Sequence, residues 1–386
     1  MGLFLEYGYT SFNKFGEELC GDRVSIVKKD GYTTLVLADG MGSGVKANIL
    51  STLTSKILST MVSNNIPMEE CIETIIETLP VCKERGVAYS TFSVIHLNND
   101  GNGYMFEFDN PQCIFLRNCK PQDLEREMLN ILNKKIYKTE LNLKNQDMIL
   151  VMSDGVPHAG IGKTMNFGWA RNDIIEYLEK NINPHMSARC VANLLATASN
   201  ALYMQEPGDD TTVAAVKIRQ EQNINIMIGP PSRREEAEEY VKDFLSKDGL
   251  RIVCGGRTSQ IVAEYMGEQV ETILDYIDKE LPPIGYIKGI DLTTEGVITL
   301  RKLIELSEEY IKVDSDEPKR FVRKDGASRL ADFLFEEATC VRFFVGQAVN
   351  EAHKGLPIDS TLKFKLVEKL SNNLEVMGKK IEIKYY

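Results

Sequence analysis

The chain has 386 residues, 43% of them hydrophobic and 26% charged, with a formal net charge of −11. That length and balance fit two globular domains, each able to bury a core. The acidity argues against nucleic acid and anionic membranes as partners, since both need a basic face, and suits a site that gathers carboxylates around cations.

In chain order, RVSIVK (23–28) reads as a strand, Asp30-Gly31 as a hairpin turn, and YTTLVLA (32–38) as a second, more buried strand. It runs directly into Asp39-Gly40-Met41-Gly42-Ser43-Gly44. Apolar residues at helical spacing follow over 45–61 (Ile49, Leu50, Leu53, Ile57, Leu58), predicting an amphipathic helix. A helix over 68–79, strands over 90–97 and 103–108, and a surface helix or flap over 118–130 are expected next. Residues 148–152 form a buried strand ending on Ser153-Asp154-Gly155. Helices near 172–180 and 187–204 precede Asp209-Asp210 and a last strand, 211–218. Hairpin-joined strands with helices segregated in sequence predict an α+β sandwich.

A new domain is expected from about residue 220, giving domains 1–219 and 220–386. Strands are predicted at 224–228, 250–254, 284–287, 341–345 and 381–385. Helices are predicted from a Ser232–Glu235 capping box to about 247, then through Tyr265, over 294–311, 328–337 and 360–377, and a charged loop is expected near 313–325. This alternation predicts an α/β domain. Between its second strand and the following helix lies Gly255-Gly256-Arg257-Thr258-Ser259. The glycines allow close backbone approach and a helix start attracts anions, so a small anionic ligand is a candidate there.

Eight cysteines without a CxxC pair read as free thiols of a reducing compartment, and four scattered histidines make histidine-based zinc chemistry a poor fit. No apolar run approaches the ~18 residues of a membrane span, and the start lacks the pattern of a signal peptide. A soluble, cytoplasmic protein is expected, with neither membrane nor nucleic acid as partner.

The chemistry concentrates in aspartates at strand boundaries. Asp22, Asp39, Asp154 and Asp209 sit where strands begin or end, so they can meet on one rim, and carboxylates that close must be protonated or neutralised by cations. Oxygen ligands favour Mg2+ or Mn2+. The ordered set GD, LADGMGSG, MSDG and GDDTTV over residues 1–219 resembles the metal-dependent protein phosphatase (PPM) family, in the branch of stage II sporulation protein E and the bacterial stress-response phosphatases. The resemblance implies an α-β-β-α sandwich with two Mn2+ or Mg2+ ions. Asp39 would bridge them, the Gly40 carbonyl and Asp22 would serve the second, and Asp154 and Asp209 the first, with Asp210 the alternative to Asp209. It implies an activated water that hydrolyses phosphoserine or phosphothreonine on a bacterial signalling protein, with Asp39, Asp154 and Asp209 catalytic. It also implies a regulatory role for the helix over 45–61.

Two departures stand out. Gly21 replaces the Glu that precedes this Asp in many eukaryotic members, and no matching phosphate-binding arginine is present. Lys14 is the candidate substrate contact in its place. A binding protein on a degenerate phosphatase scaffold and a small-phosphoester hydrolase are the alternatives. The second half resembles the domain attached to a subset of such phosphatases in anaerobic bacteria, through GGRTS, TTEGVITL and FEEATCVRFFVG.

Overall fold

The computed structural model describes residues 2–78, 90–272, 285–311, 326–348 and 359–386. Its contacts divide the chain into two compact units, one built on Met1–Gln220 and the other on the chain from Glu221 onward.

The first unit contains, in order, β1 (Leu3–Phe12), β2 (Asp22–Lys29), β3 (Tyr32–Gly40), α1 (Gly44–Val62), α2 (Met68–Thr78), β4 (Ser90–Asn98), β5 (Asn102–Phe108) and β6 (Ile114–Arg117). Then come β7 (Lys120–Gln122), β8 (Glu127–Ile131), β9 (Lys134–Asn142), β10 (Asp147–Met152), α3 (Arg171–Asn181), α4 (Ala188–Leu202) and β11 (Thr211–Gln220). Two antiparallel sheets result, ordered β1-β11-β10-β6-β7 and β2-β3-β4-β5-β9-β8. Side chains alternate across each strand. Leu35 and Leu37 of β3 meet Ile149 and Val151 of β10 between the sheets. Val36 and Ala38 turn outward onto α1 and α2, and Met148, Leu150 and Met152 outward onto α3 and α4. Each such buried aliphatic side chain contributes about 1.5–3 kcal/mol. The layers are therefore α-β-β-α, the α+β sandwich expected.

The unit differs from the sequence expectation in three places. Residues 118–130 form no helix: they hold β7 and β8, whose polar faces lie at the sheet edges. β1 went unpredicted, yet it pairs along its whole length with β11. In α1, Ile49 and Leu53 are 53% and 44% exposed, while Ala47, Leu50, Ser51, Thr54, Ser55 and Ser59 are buried. At its start the helix packs so closely on β3 that a Cβ added at Gly40 would collide with the Ala47 backbone; farther along, Leu58 and Val62 pack on Val36 and Ala38. The end of the helix expected at residue 79 lies outside the described residues.

The second unit contains β12 (Asn223–Ile228), α5 (Ala237–Ser246), β13 (Leu250–Cys254), α6 (Gly256–Met266), β14 (Glu271–Thr272), β15 (Gly285–Tyr286) and β16 (Leu292–Thr294). It ends with α7 (Val297–Ile311), α8 (Gly326–Asp332), β17 (Cys340–Val345), α9 (Asp359–Val376) and β18 (Lys380–Tyr385). The sheet order is β14-β15-β16-β13-β12-β17-β18, parallel from β16 to β18. Helices α7, α8 and α9 cover one face and α5 and α6 the other, a doubly wound α/β arrangement. The capping box does not form. A tight helical turn at Arg234–Glu236 precedes α5, and the Ser232 hydroxyl donates to the Tyr386 carbonyl (3.4 Å) instead. LTT of the DLTTEG run forms β16, separate from the short β15, and α7 starts only at Val297. After α8 the chain widens into a π-helical turn at Phe333–Glu337. The charged stretch 313–325 and Ile284 lie outside the described residues.

Candidate metal centre

The hairpin turn sets the first half of the site. Asp30 and Gly31 both adopt positive φ (51° and 80°), as a two-residue turn between right-twisted strands requires. That turn pairs Lys29 with Tyr32, and the register carries Asp22 opposite Asp39 at the far end of β2 and β3. The second half comes from the other sheet. β10 pairs with β11, and Ser153 N–H donates to Thr212 O (3.0 Å) just beyond the paired residues. This brings Asp154, which follows β10, beside Asp209 and Asp210, which precede β11. Two hairpin-like strand ends, one from each sheet, thus present their carboxylates to one another.

The electrostatics show how tightly. Burial pushes the Asp39 carboxyl up to about 9, and the charges of Asp22, Asp154, Asp209 and Asp210 add to the effect. Asp22 rises to about 7, by burial first and then by Asp210 and Asp154, partly offset by the nearby hydroxyls of Ser153 and Thr212. Burial, then Asp209, also raises Asp154. Both carboxylate oxygens of Asp22 are buried without a hydrogen-bond partner. An orphaned buried carboxylate is costly, and a hard cation satisfies it best. The oxygen donors therefore fit Mg2+ or Mn2+. Among the described residues no three His, Cys, Asp or Glu side chains close on a common point.

Asp210 differs from its neighbours. Its Oδ1 accepts the Lys14 N–H (3.0 Å), and the Gly21 N–H also bonds its carboxylate. Lys14 Nζ stands 3.9 Å from Asp209 Oδ1, at the rim. Gly21 has a packing reason: a Cβ there would lie 2.7 Å from Asp210 Oδ2 and 2.9 Å from the Ala47 Cβ, so a glutamate does not fit. His158, unremarked in the sequence, lies with Nδ1 3.8 Å from Asp154 Oδ2; its only signal was the spacing of four residues after Asp154. The buried Tyr203 hydroxyl donates to Gly155 O (2.8 Å) and braces the turn that carries Asp154.

Residues 29–219 match the family model described as Stage II sporulation protein E (SpoIIE). The N-terminal domain belongs to this family. It is accordingly a SpoIIE-like member of the metal-dependent (PPM) phosphatases, and the match spans Asp39, Asp154 and Asp209. Comparison with curated proteins gave no match. Among solved structures, the phosphatase domain of the cell fate determinant SpoIIE from Bacillus subtilis is 20% identical with a TM-score of 0.45, over 57% of this chain and 94% of that one. The PP2C phosphatase domain of the same protein with a fragment of its regulatory domain is 20% identical with a TM-score of 0.49, over 56% and 64%. RsbX in complex with magnesium is 18% identical with a TM-score of 0.38, over 55% and 95%.

Outside the SpoIIE-like domain, Gly255–Ser259 opens α6 at the carboxyl end of β13. Gly255 takes φ +112° and its N–H donates to Thr294 O (2.8 Å). Thr258 and Ser259 are buried, the Ser259 hydroxyl donates back to Gly255 O (3.1 Å), and Arg257 is exposed. The switch point of the sheet, where α/β proteins commonly bind ligands, lies instead between β12 and β17. There the Tyr240 hydroxyl lies within bonding distance of Phe344 O (2.9 Å), and the buried Lys363 ammonium donates to Gly346 O. No helix of the described residues is long and apolar enough to cross a membrane.

Proposed function

We propose that the N-terminal domain is a metal-dependent serine/threonine phosphatase acting on a phosphorylated signalling protein of the bacterial cytoplasm. The observation that carries this is Asp22, buried with both oxygens orphaned and directly opposite Asp39, within a group of carboxylates drawn from two sheets. In this reading Asp39, Asp154 and Asp209 are the catalytic carboxylates and hold two Mn2+ or Mg2+ ions, assisted by Asp22 and the Gly40 carbonyl. Bound there, the cations would supply a water acidic enough to attack phosphorus near neutral pH. The chain's own residues do the rest. Lys14, on the rim beside Asp209, takes the phosphoryl oxygens of the substrate. Asp210 anchors the loop that carries Lys14 and leaves coordination to Asp209. In the C-terminal unit, the start of α6 at Gly255, Gly256, Arg257, Thr258 and Ser259 would receive a small anionic ligand.

The test is Mn2+-dependent phosphate release from a panel of phosphoserine and phosphothreonine peptides, run beside a small aryl phosphate. Turnover of peptides, abolished by EDTA, supports the reading. Turnover of the aryl phosphate alone makes the domain a small-phosphoester hydrolase. Neither turnover nor Mn2+ uptake would leave a binding protein on a phosphatase scaffold.

The role given to Asp210 has its own check. Asparagine keeps the acceptor oxygen for the backbone amides, so Asp210→Asn should retain Mn2+ affinity within about twofold. Asp210→Ala leaves those amides unpaired at a cost of about 1–3 kcal/mol, and should weaken Mn2+ binding about tenfold in calorimetric titration. Equal losses in both variants would mean that Asp210 is itself a ligand.

A further inference from the structure

The loop between β1 and β2, residues 13–21, spans the rim of the centre and is tied to it at both ends. Near its start, Lys14 N–H donates to Asp210 Oδ1 (3.0 Å) and Phe15 N–H to Pro207 O (2.8 Å). Near its end, Cys20 O accepts from Asn48 Nδ2 of α1 (2.8 Å), and Gly21 O accepts the Gly40 N–H (3.1 Å). Between these ties lies Glu17. Its Oε1 accepts the Ser43 hydroxyl (3.0 Å), and its Oε2 is packed against Gly44. Ser43 is the residue on which α1 begins, in extended backbone, and its side chain makes no cap bond to its own helix. The hydroxyl that would cap α1 goes to Glu17 instead, and the Glu17 carboxylate supplies the negative charge that a helix start favours. The first turn of α1 holds no acidic residue of its own.

The consequence reaches the metal centre through contact. Gly40 has no room for a Cβ because the Ala47 backbone, in the first turn of α1, lies against it. Gly40 is also bonded to Gly21 at the end of the same loop. Wherever the first turn of α1 sits, Gly40 and the adjoining Asp39 must follow. We propose that Glu17 is a positioning residue for the cation site. By clasping Ser43 and Gly44 it holds the start of α1, and α1 in turn holds the Gly40 carbonyl and the Asp39 carboxylate where cations need them. Loss of the clasp loosens the site without removing a ligand. This deepens the phosphatase reading above and rests on it.

The experiment uses the full chain with Glu17→Ala and Glu17→Gln. Mn2+ affinity is read from the electron paramagnetic resonance of free Mn2+ with no substrate present. Hydrogen exchange of the amides of residues 47–50 is followed in the metal-free protein. Glu17 is exposed, so neither change should impair folding. Loss of one hydrogen bond and one helix-start charge should weaken Mn2+ binding about three- to tenfold and speed exchange of those amides by a similar factor. Glu17→Gln keeps an acceptor for Ser43 and should recover most of the affinity, a rescue that a general loss of stability would not give. Wild-type affinity in Glu17→Ala, or faster exchange with unchanged affinity, overturns the proposal while the phosphatase reading stands. A wild type that takes up no Mn2+ overturns both.

Discussion

Asp39→Asn is expected to lower phosphatase activity at least about a hundredfold, the scale set by losing a principal electrostatic group, and yet to stabilise the metal-free protein at pH 8. The second effect follows from the direction of the shift. With the folded carboxyl raised to about 9 from an ordinary 3.8, the folded state keeps a proton that the unfolded state has released. Stability of the metal-free protein must then fall as pH rises from about 4 to about 9. Asp22, raised to about 7, adds to the fall over the lower part of that window. Asparagine has the same shape and no charge to bury, so Asp39→Asn should flatten the profile and raise the melting temperature at pH 8 by on the order of 5 °C. Mn2+ should stabilise wild type, more at pH 8 than at pH 5 because cations and protons compete for the same oxygens, and should do little for the variant. Melting curves from pH 5 to 9, with and without Mn2+, read all of this. A flat wild-type profile, or a variant less stable than wild type at pH 8, would show that the carboxylates do not crowd as described.

The sequence made some of this visible and hid the rest for physical reasons. Asp-Gly after an apolar run is a local signal, and Asp39 and Asp154 announce themselves that way. Even the facing of Asp22 and Asp39 was countable in principle: the turn at Asp30-Gly31 fixes the register, and each aspartate lies seven residues from its base. β1 had no such local mark. Its partner β11 is some two hundred residues away, and strand formation depends on the neighbour more than on the segment. The face of α1 was legible in part: Leu50 and Leu58 are buried as their spacing predicts, whereas Ile49 and Leu53 face outward, and Ala47 takes the place of closest approach to β3, at Gly40. Glu17 and His158 were invisible for another reason. Exposed charged residues in loops are ordinary, and only the fold places one on Ser43 and the other beside Asp154.

That close approach makes a second large effect testable, through two glycines of the same DGMGSG stretch. Gly42 has φ +104° with no atom near its missing side chain, so Gly42→Ala costs backbone strain alone, about 1 kcal/mol. Gly40 has no positive φ; its constraint is the Ala47 backbone, which no rotamer change can move aside. Gly40→Ala should therefore cost about 3 kcal/mol, the upper range for overpacking, and lower the melting temperature by about 10 °C. If the protein instead gives way by letting α1 retreat, stability suffers less and Mn2+ affinity suffers more, because Gly40 and Asp39 lose the surface that aligns them. Melting and Mn2+ titration of the two variants together separate these responses. Gly40→Ala tolerated in both measurements would mean that α1 does not bear on the metal centre, and the coupling through Glu17 would lose its path. A loss confined to Mn2+ affinity would show that the start of α1 can move against β3 at low cost, the property a helix needs if its position is to govern the site.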